Sequence, residues 1–433
     1  MKSKLTKILI LSQLFVSLFV HSECGGLEEM YKWRQIAFDQ LQENGSDGIA
    51  FPDEETSNHL NQERLSALRS NYVAYNNVPM GVTHAKGKLI TTIPRRNPGI
   101  PATLSYISTK SPKGTSPSFR AFPNYQTNEL HPEGLPDENR IVSVYRTRFD
   151  ACNRLWFIDT GTLEYNGTIQ VQRPSIWIVD MNTEQRIRRF EIPESIVQPG
   201  HGLASITIDV DSNNCDGAFA YIPDLLTYRL YVYSFEQNRL WRFAHNYFSF
   251  DPLHGDFDVI GLQYQWNDGI FSITMGRRNP DGYRSVFFHP MVSVSEFVVN
   301  SRTLQNETAS QRSNHGRDFM KLGDRGVNTQ SAMHDFDQQS GVMFYSQVAV
   351  NGISCWNSAK PYTPQNHALL ERNDVTMIYP GDLNVDESGT LWVLTNSMIR
   401  FIYDRIDPTV YNFRIWRANA RDIVRGTVCS LGR

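Results

Sequence analysis

DACNRLWFIDTGT, residues 150 to 162, sets the unit that the rest of the chain repeats. Asp150, Cys152 and Asn153 make a turn, Leu155, Trp156, Phe157 and Ile158 form a short apolar run, and Asp159, Thr160 and Gly161 stop it. A buried strand bounded by turn formers has this form. A second copy is NVDESGTLWVLTN, residues 384 to 396, with Ser388 and Gly389 in the turn and Leu391, Trp392, Val393 and Leu394 in the run.

Four looser copies fill the chain around these two: KLITTIP (88 to 94), AFAYIPD (218 to 224), GIFSITM (269 to 275) and VMFYS (342 to 346). The anchors lie roughly 50 to 75 residues apart, room for about four strands and their loops each. Further strand candidates fall between them, at 175 to 180, 229 to 235, 285 to 290 and 296 to 300. No long amphipathic helical pattern interrupts the series. A single four-stranded sheet cannot bury both of its faces, whereas a ring of such sheets buries each face against the next. The reading is therefore all-β, a six-bladed β-propeller over residues 25 to 433, with a pair of β-sandwiches as the alternative. Closing the ring requires the C-terminal run Tyr411 to Trp416 and the N-terminal Tyr31 to Phe38 to meet in one blade.

Residues 1 to 24 read separately, as a secretory signal peptide. Lys2, Lys4 and Lys7 precede an apolar run from Ile8 to Val20, and Ser22 and Cys24 suit a cleavage site. That run is shorter than the roughly 20 residues a membrane span takes, and no later stretch approaches it. The expected location is secreted and extracellular. Removing Cys24 leaves Cys152, Cys215, Cys355 and Cys429, enough for two disulfides in any of three connectivities. Cys152 with Cys215 and Cys355 with Cys429 is favoured, because each pair staples neighbouring repeats. Sequons at Asn44, Asn166 and Asn306 fit the same compartment and predict a glycoprotein. A formal net charge of −3 gives no reason to expect a nucleic-acid partner. The basic spots Arg95-Arg96 and Arg186, Arg188 and Arg189 read as solvated strand or loop faces. Nothing in the sequence fixes an oligomeric state.

Strong catalytic strings are absent: the chain has no HExxH, no CxxC pair, no Walker loop and no GxSxG. No cofactor and no metal are expected on that ground. Gly200-His201-Gly202 is a fragment of a glycine fingerprint without the strand-to-helix setting that phosphate binding needs. His84, His131, His201, His289 and His334 are scattered, and each reads first as an ordinary structural histidine. Propellers bind ligands where the innermost strands and their loops converge. Taking the anchors as innermost strands puts Pro94 and Arg95, Asp159 and Thr160, Asp224, Thr274 and Asn396 at the channel mouth. Capping a strand is the ordinary use of such positions.

Several longer strings carry a family resemblance: GIPATLSYI from 99, CNRLWFIDTG from 152, DPLHGDF from 251, LGDRGVNTQS from 322, GISCWN from 352 and NFRIWRAN from 412. They run in order along almost the whole mature chain, and with them the protein resembles the insect yellow / major royal jelly protein family. The resemblance implies a secreted six-bladed propeller with two disulfides. It further implies a role in cuticle pigmentation, the melanin pathway or development, with a small aromatic ligand of catechol or indole type held at the channel. The alternatives it carries are a dopachrome-converting isomerase and a nutritive or storage protein like those of royal jelly. Amine-binding salivary relatives use a Thr, an Asn and an aromatic around the last blade. The matching positions are Gly381, Asn396 and Met398, so only the Asn is kept and tight amine binding is not expected. The ligand-binding candidates are thus Asn396, Met398, Gly381, Asp159, Asp224 and Thr274. For proton transfer on a ring carbon, His84, Asp159, Asp224 and Tyr345 are of the right type, without assigned roles. Asp159, Asp224 and Asn396 could supply oxygen ligands if the chain were a metal-dependent lactonase, which no family string supports.

Overall fold

In the computed structural model, residues 26–41, 72–165 and 167–430 are described. The signal segment and the sequons at Asn44 and Asn166 lie outside them. Six four-stranded antiparallel sheets form the blades of a propeller. Blade 1 takes its strands from Gly81–Ala85, Lys88–Thr92, Leu104–Ser108 and Arg120–Ala121. Blade 2 uses Val144–Phe149, Arg154–Asp159, Ser175–Asp180 and Gln185–Glu191. Blade 3 uses Thr207–Asp211, Asn214–Asp224, Arg229–Ser234 and Arg239–Phe243. Blade 4 is built from Ile270–Arg278, Arg284–Pro290, Ser295–Asn300 and Phe319–Asp324, and blade 5 from His334–Asp337, Val342–Gln347, Gly352–Asn357 and His367–Arg372. Blade 6 joins Pro380–Val385, Thr390–Thr395 and Phe413–Asn419 to the N-terminal strand Glu28–Trp33. The two ends of the chain therefore close the ring, with Tyr31 opposite Ile415 and Trp33 opposite Phe413.

The repeated string has a physical basis. Asp150, in the turn between the first two strands of blade 2, accepts from the backbone N–H groups of Cys152 and Arg154 at 2.9 Å and from the Trp156 indole at 2.7 Å. Asp386 does the same in blade 6, accepting from the N–H groups of Ser388 and Thr390 and from the Trp392 indole at 2.9 Å. One carboxylate thus fixes both the turn and the large side chain that the next strand buries. The buried apolar side chains of the described residues gather into six clusters, one between each pair of adjacent blades. Each fully buried Leu, Ile or Phe contributes about 1.5–3 kcal/mol, so the six blade interfaces supply most of the stabilisation. The disulfides staple two of them. Cys152–Cys215 joins blades 2 and 3, and Cys355–Cys429 ties the C-terminal segment to blade 5.

The anchors are not the innermost strands. In five blades they are the second strand, and only Ile270–Arg278 lies next to the axis. The innermost strands are polar, and side chains on them and beside them link the ring. Thr83 Oγ1 donates to Thr147 O (2.9 Å), Arg146 Nη1 to Ala204 O (3.2 Å), Thr207 Oγ1 to Ile273 O (2.6 Å) and Thr274 Oγ1 to Asp335 Oδ1 (3.0 Å). Val385 N donates to Asp335 Oδ2 and Val82 N to Asp382 Oδ2, each at 2.9 Å, completing the circle. Apolar runs mark strands covered on both faces, which in a propeller are the middle ones. Arg95 also differs from its expected solvated place. It is buried, and its guanidinium donates to the carbonyls of Ile100, Ile141, Val142 and Asn128. The Arg186 to Arg189 strand does lie at the outer, partly solvated edge of blade 2.

Candidate functional site

On the face where the innermost strands begin, a cavity of about 510 Å³ opens over the channel. Its walls come from segments far apart in sequence that the ring brings together: Arg96 between the second and third strands of blade 1, Tyr145, Arg146, Thr160 and Glu164 of blade 2, the Gly200-His201-Gly202 loop, Trp266, Asp268 and Phe271 before and in blade 4, and Tyr379 and Met398 of blade 6. Two local devices shape it. Asp159 accepts from the N–H groups of Val142, Ser143 and Gly161, and Gly161 has φ +67° with no room for a Cβ, which would meet Gln172 O at 2.0 Å. The hairpin Asp256–Val259 and Leu262–Gln265 lays an aromatic stack over the rim: Phe257 on Tyr264 (5.2 Å between centroids) and Tyr264 on Tyr403 (4.5 Å). Trp266, at the end of this hairpin, stands edge-on to Tyr379 at 5.8 Å.

The charges in the cavity are not equally committed. Glu164 accepts from Arg96 Nε at 3.1 Å and from the Tyr145 hydroxyl, so both of its oxygens are used. Arg146 donates to Gly381 O at 2.6 Å and to Ala204 O, with its guanidinium 5.0 Å from the Phe271 ring centroid. It thereby ties blades 2, 3 and 6 together under the cavity floor. Asp268 is different: burial raises its carboxyl to about 6, and the attraction of Arg96 and Arg146 only partly opposes this. His201 also lines the cavity, and both of its ring nitrogens are buried without a hydrogen-bond partner among the described residues. Burial lowers its pKa, with Asp224 pulling the other way, so the neutral imidazole is favoured.

Of the residues expected from sequence, Met398 and Thr160 line the cavity. Asn396 sits beneath it, donating to Pro79 O at 2.9 Å and accepting from Met398 N at 3.1 Å. Gly381 offers its carbonyl to Arg146. Asp224 accepts from the N–H groups of Gly202, Leu226 and Thr227 and from the Thr227 hydroxyl, which fixes the loop bearing His201. Thr274 bonds Asp335 lower in the channel. His84 Nδ1 donates to the Asp386 carboxylate at 2.7 Å, and Tyr345 pairs with His367 at 3.0 Å; both lie away from the cavity lining. Arg96, Glu164, His201 and Asp268 were not singled out as site residues by strand-end reasoning, because they stand on connecting loops. The position of Asp268, one residue before the anchor GIFSITM, was the available signal.

The five scattered histidines do not converge as a set. Only His289 and His334 meet, 4.4 Å between ring centroids, at Glu296. Glu296 accepts from His289 Nδ1 (3.0 Å) and His334 Nε2 (3.2 Å) and from Arg325 Nη1 (2.7 Å), all of them buried between blades 4 and 5. Ligand atoms of the three residues lie within 4.8 Å of one another, a spacing that suits a metal ion. The guanidinium on the same carboxylate opposes one, since a divalent cation would add charge to a buried group that Arg325 already neutralises. The cluster works as a polar bolt between two blades. His289 is held down to about 4, by burial first and by His334 and Arg325, with Glu296 opposing.

Comparison with known proteins agrees with this architecture. The family model described as "Major royal jelly protein" matches residues 142–429. "L-dopachrome tautomerase yellow-f" of Drosophila melanogaster is 46% identical over 423 residues, covering 95% of this chain and 96% of the relative. "Protein yellow" of Drosophila madeirensis is 37% identical over 408 residues, covering 94% of this chain and 67% of the relative. "Protein yellow" of Drosophila melanogaster is 36% identical, with 94% and 71% covered. With the propeller, its two disulfides and these relatives in hand, the chain belongs to the yellow / major royal jelly protein family.

Proposed function

We propose that this yellow-like protein is a secreted, glycosylated factor of cuticle pigmentation and the melanin pathway, and that it binds a small aromatic ligand of catechol or indole type in the cavity over the channel. The observation that carries the reading is the wall chemistry: the rings of Trp266, Tyr379 and Phe271 stand beside the guanidinium groups of Arg96 and Arg146 around a space of about 510 Å³. Sites for small molecules have this size and this mixture of apolar surface with a few placed polar groups. The two disulfides support an oxidising, extracellular compartment. Titration calorimetry of the purified protein against catechols and indoles tests the reading. Binding is expected, with Trp266→Ala about tenfold weaker for loss of a stacking face; a wild-type protein that binds none of them overturns it.

A second reading, conversion of dopachrome by tautomerisation, is supported by Asp268, which lines the same cavity and whose carboxyl burial raises to about 6. The relative named as an L-dopachrome tautomerase supports it as well. Loss of L-dopachrome above the spontaneous rate, followed by absorbance, is the expected result; a rate equal to the blank between pH 5 and 8 would count against it.

A further inference from the structure

Resting on the tautomerase reading, we infer that Asp268 is the catalytic residue that carries the proton in this cavity, taking it from a carbon of the bound substrate and returning it to a carbonyl oxygen. Three observations lead there.

The first is placement. Asp268 is fixed by backbone bonds on both sides rather than by its carboxyl. Its own carbonyl accepts from Val292 N at 3.1 Å, Gly269 N donates to Leu225 O at 2.9 Å, and Trp266 N donates to Gly255 O at 3.0 Å. Glycine follows it because nothing larger fits: a Cβ at position 269 would meet the Tyr228 ring at 2.2 Å and Phe248 O at 2.5 Å. The segment is therefore clamped between blades 3 and 4, with Asp268 on the cavity wall and its carboxyl in the field of two other wall residues, Arg96 and Arg146.

The second is availability. Glu164, the other carboxylate on the wall, is spent on Arg96 and Tyr145, and the buried Asp159 and Asp224 are spent on backbone N–H groups. The Asp268 carboxyl has no hydrogen bond among the described residues, although Arg96 and Arg146 act on it through space. A positioned acid whose lone pairs are not already taken can engage a substrate without first breaking an internal contact.

The third is the balance of the reaction. A tautomerisation breaks one C–H bond and forms one O–H bond, with no net gain or loss of electrons. It needs one group able to hold a proton briefly between the two sites. A carboxyl bracketed by burial on one side and two cations on the other keeps both of its protonation states accessible near neutral pH, which suits that task. Trp266 and Tyr379 beside it supply the surface on which a flat ring rests. Arg96 and Arg146 supply positive charge for the oxygen that becomes negative once the proton has left.

The test uses the purified, full-length secreted protein with L-dopachrome as probe, and follows kcat and KM from pH 4.5 to 8. Asp268→Asn is expected to lower kcat by about 10²–10⁴-fold at pH 7, with KM changed by less than about threefold. The wild-type rate should fall as pH drops through about 6, where the base becomes protonated, and Asp268→Asn should lack this acid limb. Asp268→Glu, which keeps the carboxyl, should recover part of the rate with its limb displaced. Melting curves taken alongside show whether the variants fold. Wild-type turnover with Asp268→Asn within about threefold of it and the same acid limb overturns the inference and leaves the tautomerase reading standing. Wild-type protein that binds aromatic ligands but turns none over removes both. Should Asp268→Asn fail to fold, the displaced limb of Asp268→Glu decides: an unmoved limb overturns the assignment.

Discussion

Replacing Asn396 with alanine separates scaffold from ligand contact, and the structure sets the size of the effect. The carboxamide is fully buried; its Nδ2 donates to Pro79 O at 2.9 Å and its Oδ1 accepts from Met398 N at 3.1 Å. Alanine removes both bonds and leaves a buried carbonyl and a buried N–H without partners. Each orphaned group costs about 1–3 kcal/mol, so Asn396→Ala should lose about 2–4 kcal/mol of folding stability. Gly381 is coupled to the same carboxamide: a Cβ there would lie 2.9 Å from Asn396 Nδ2 and 3.4 Å from the Tyr379 ring. Gly381→Ala should therefore cost about 1–3 kcal/mol by overpacking. In the Asn396→Ala background the new methyl finds the space vacated by the carboxamide. The double variant should then be more stable than the sum of the single losses by at least about 0.5 kcal/mol. Urea denaturation of the four proteins with disulfides intact, followed by tryptophan fluorescence, measures the cycle. Additive losses would show that the two positions do not share this contact. An unchanged midpoint for Asn396→Ala would refute its role as scaffold and return it to the ligand.

Three further expectations follow from particular contacts. Burial holds the Asp268 carboxyl at about 6 in the folded chain against an ordinary 3.8, so the folded state binds the extra proton, and the stability this one group contributes is fully present below about pH 4 and declines as pH rises through 6. Asp268→Asn should abolish that decline, gaining at most roughly 3 kcal/mol at pH 7 and nothing near pH 3.5; parallel pH–melting curves for the two proteins would disprove it. Removing the disulfide that spans a sequence separation of 63, by Cys152→Ala with Cys215→Ala, should cost about 4 kcal/mol on a chain-entropy basis, and a thermal midpoint within a degree or two of wild type would contradict that. Asp150→Ala strips the buried Arg154 of its 2.8 Å carboxylate partner and the Trp156 indole of its acceptor, for an expected loss of about 3–5 kcal/mol; a loss below about 1 kcal/mol in urea denaturation would show that the turn does not depend on it.

The architecture could be read from residues because its signals are local. DACNRLW and DESGTLW each hold a turn, a carboxylate and a buried tryptophan within seven positions, and the cysteine spacing and terminal strands needed only a ring to make sense. The radial position of the strands was not legible. His334–Asp337 and Pro380–Val385 read HDFD and PGDLNV, polar strings without a strand period, because their side chains bond the adjacent blade around the axis instead of filling a core. Choosing the apolar runs as innermost therefore moved the expected site one strand outward, onto Asp159, Asp224 and Asn396, which cap and support the mouth. Arg96, His201 and Asp268 come together only when the ring closes, from loops whose composition resembles any other surface turn. A charge pair such as Arg95-Arg96 likewise gives no hint that one member is buried among carbonyls while the other faces the cavity.

The proposed function places an aromatic ligand over the channel between Trp266, Tyr379 and Asp268. Diffraction from crystals soaked with an indole or catechol ligand would locate it. The expected density is a flat ring against Trp266 with a polar substituent within hydrogen-bond reach of the Asp268 carboxyl. Density for the ring at another place on the molecule, with this cavity holding only water, would contradict it.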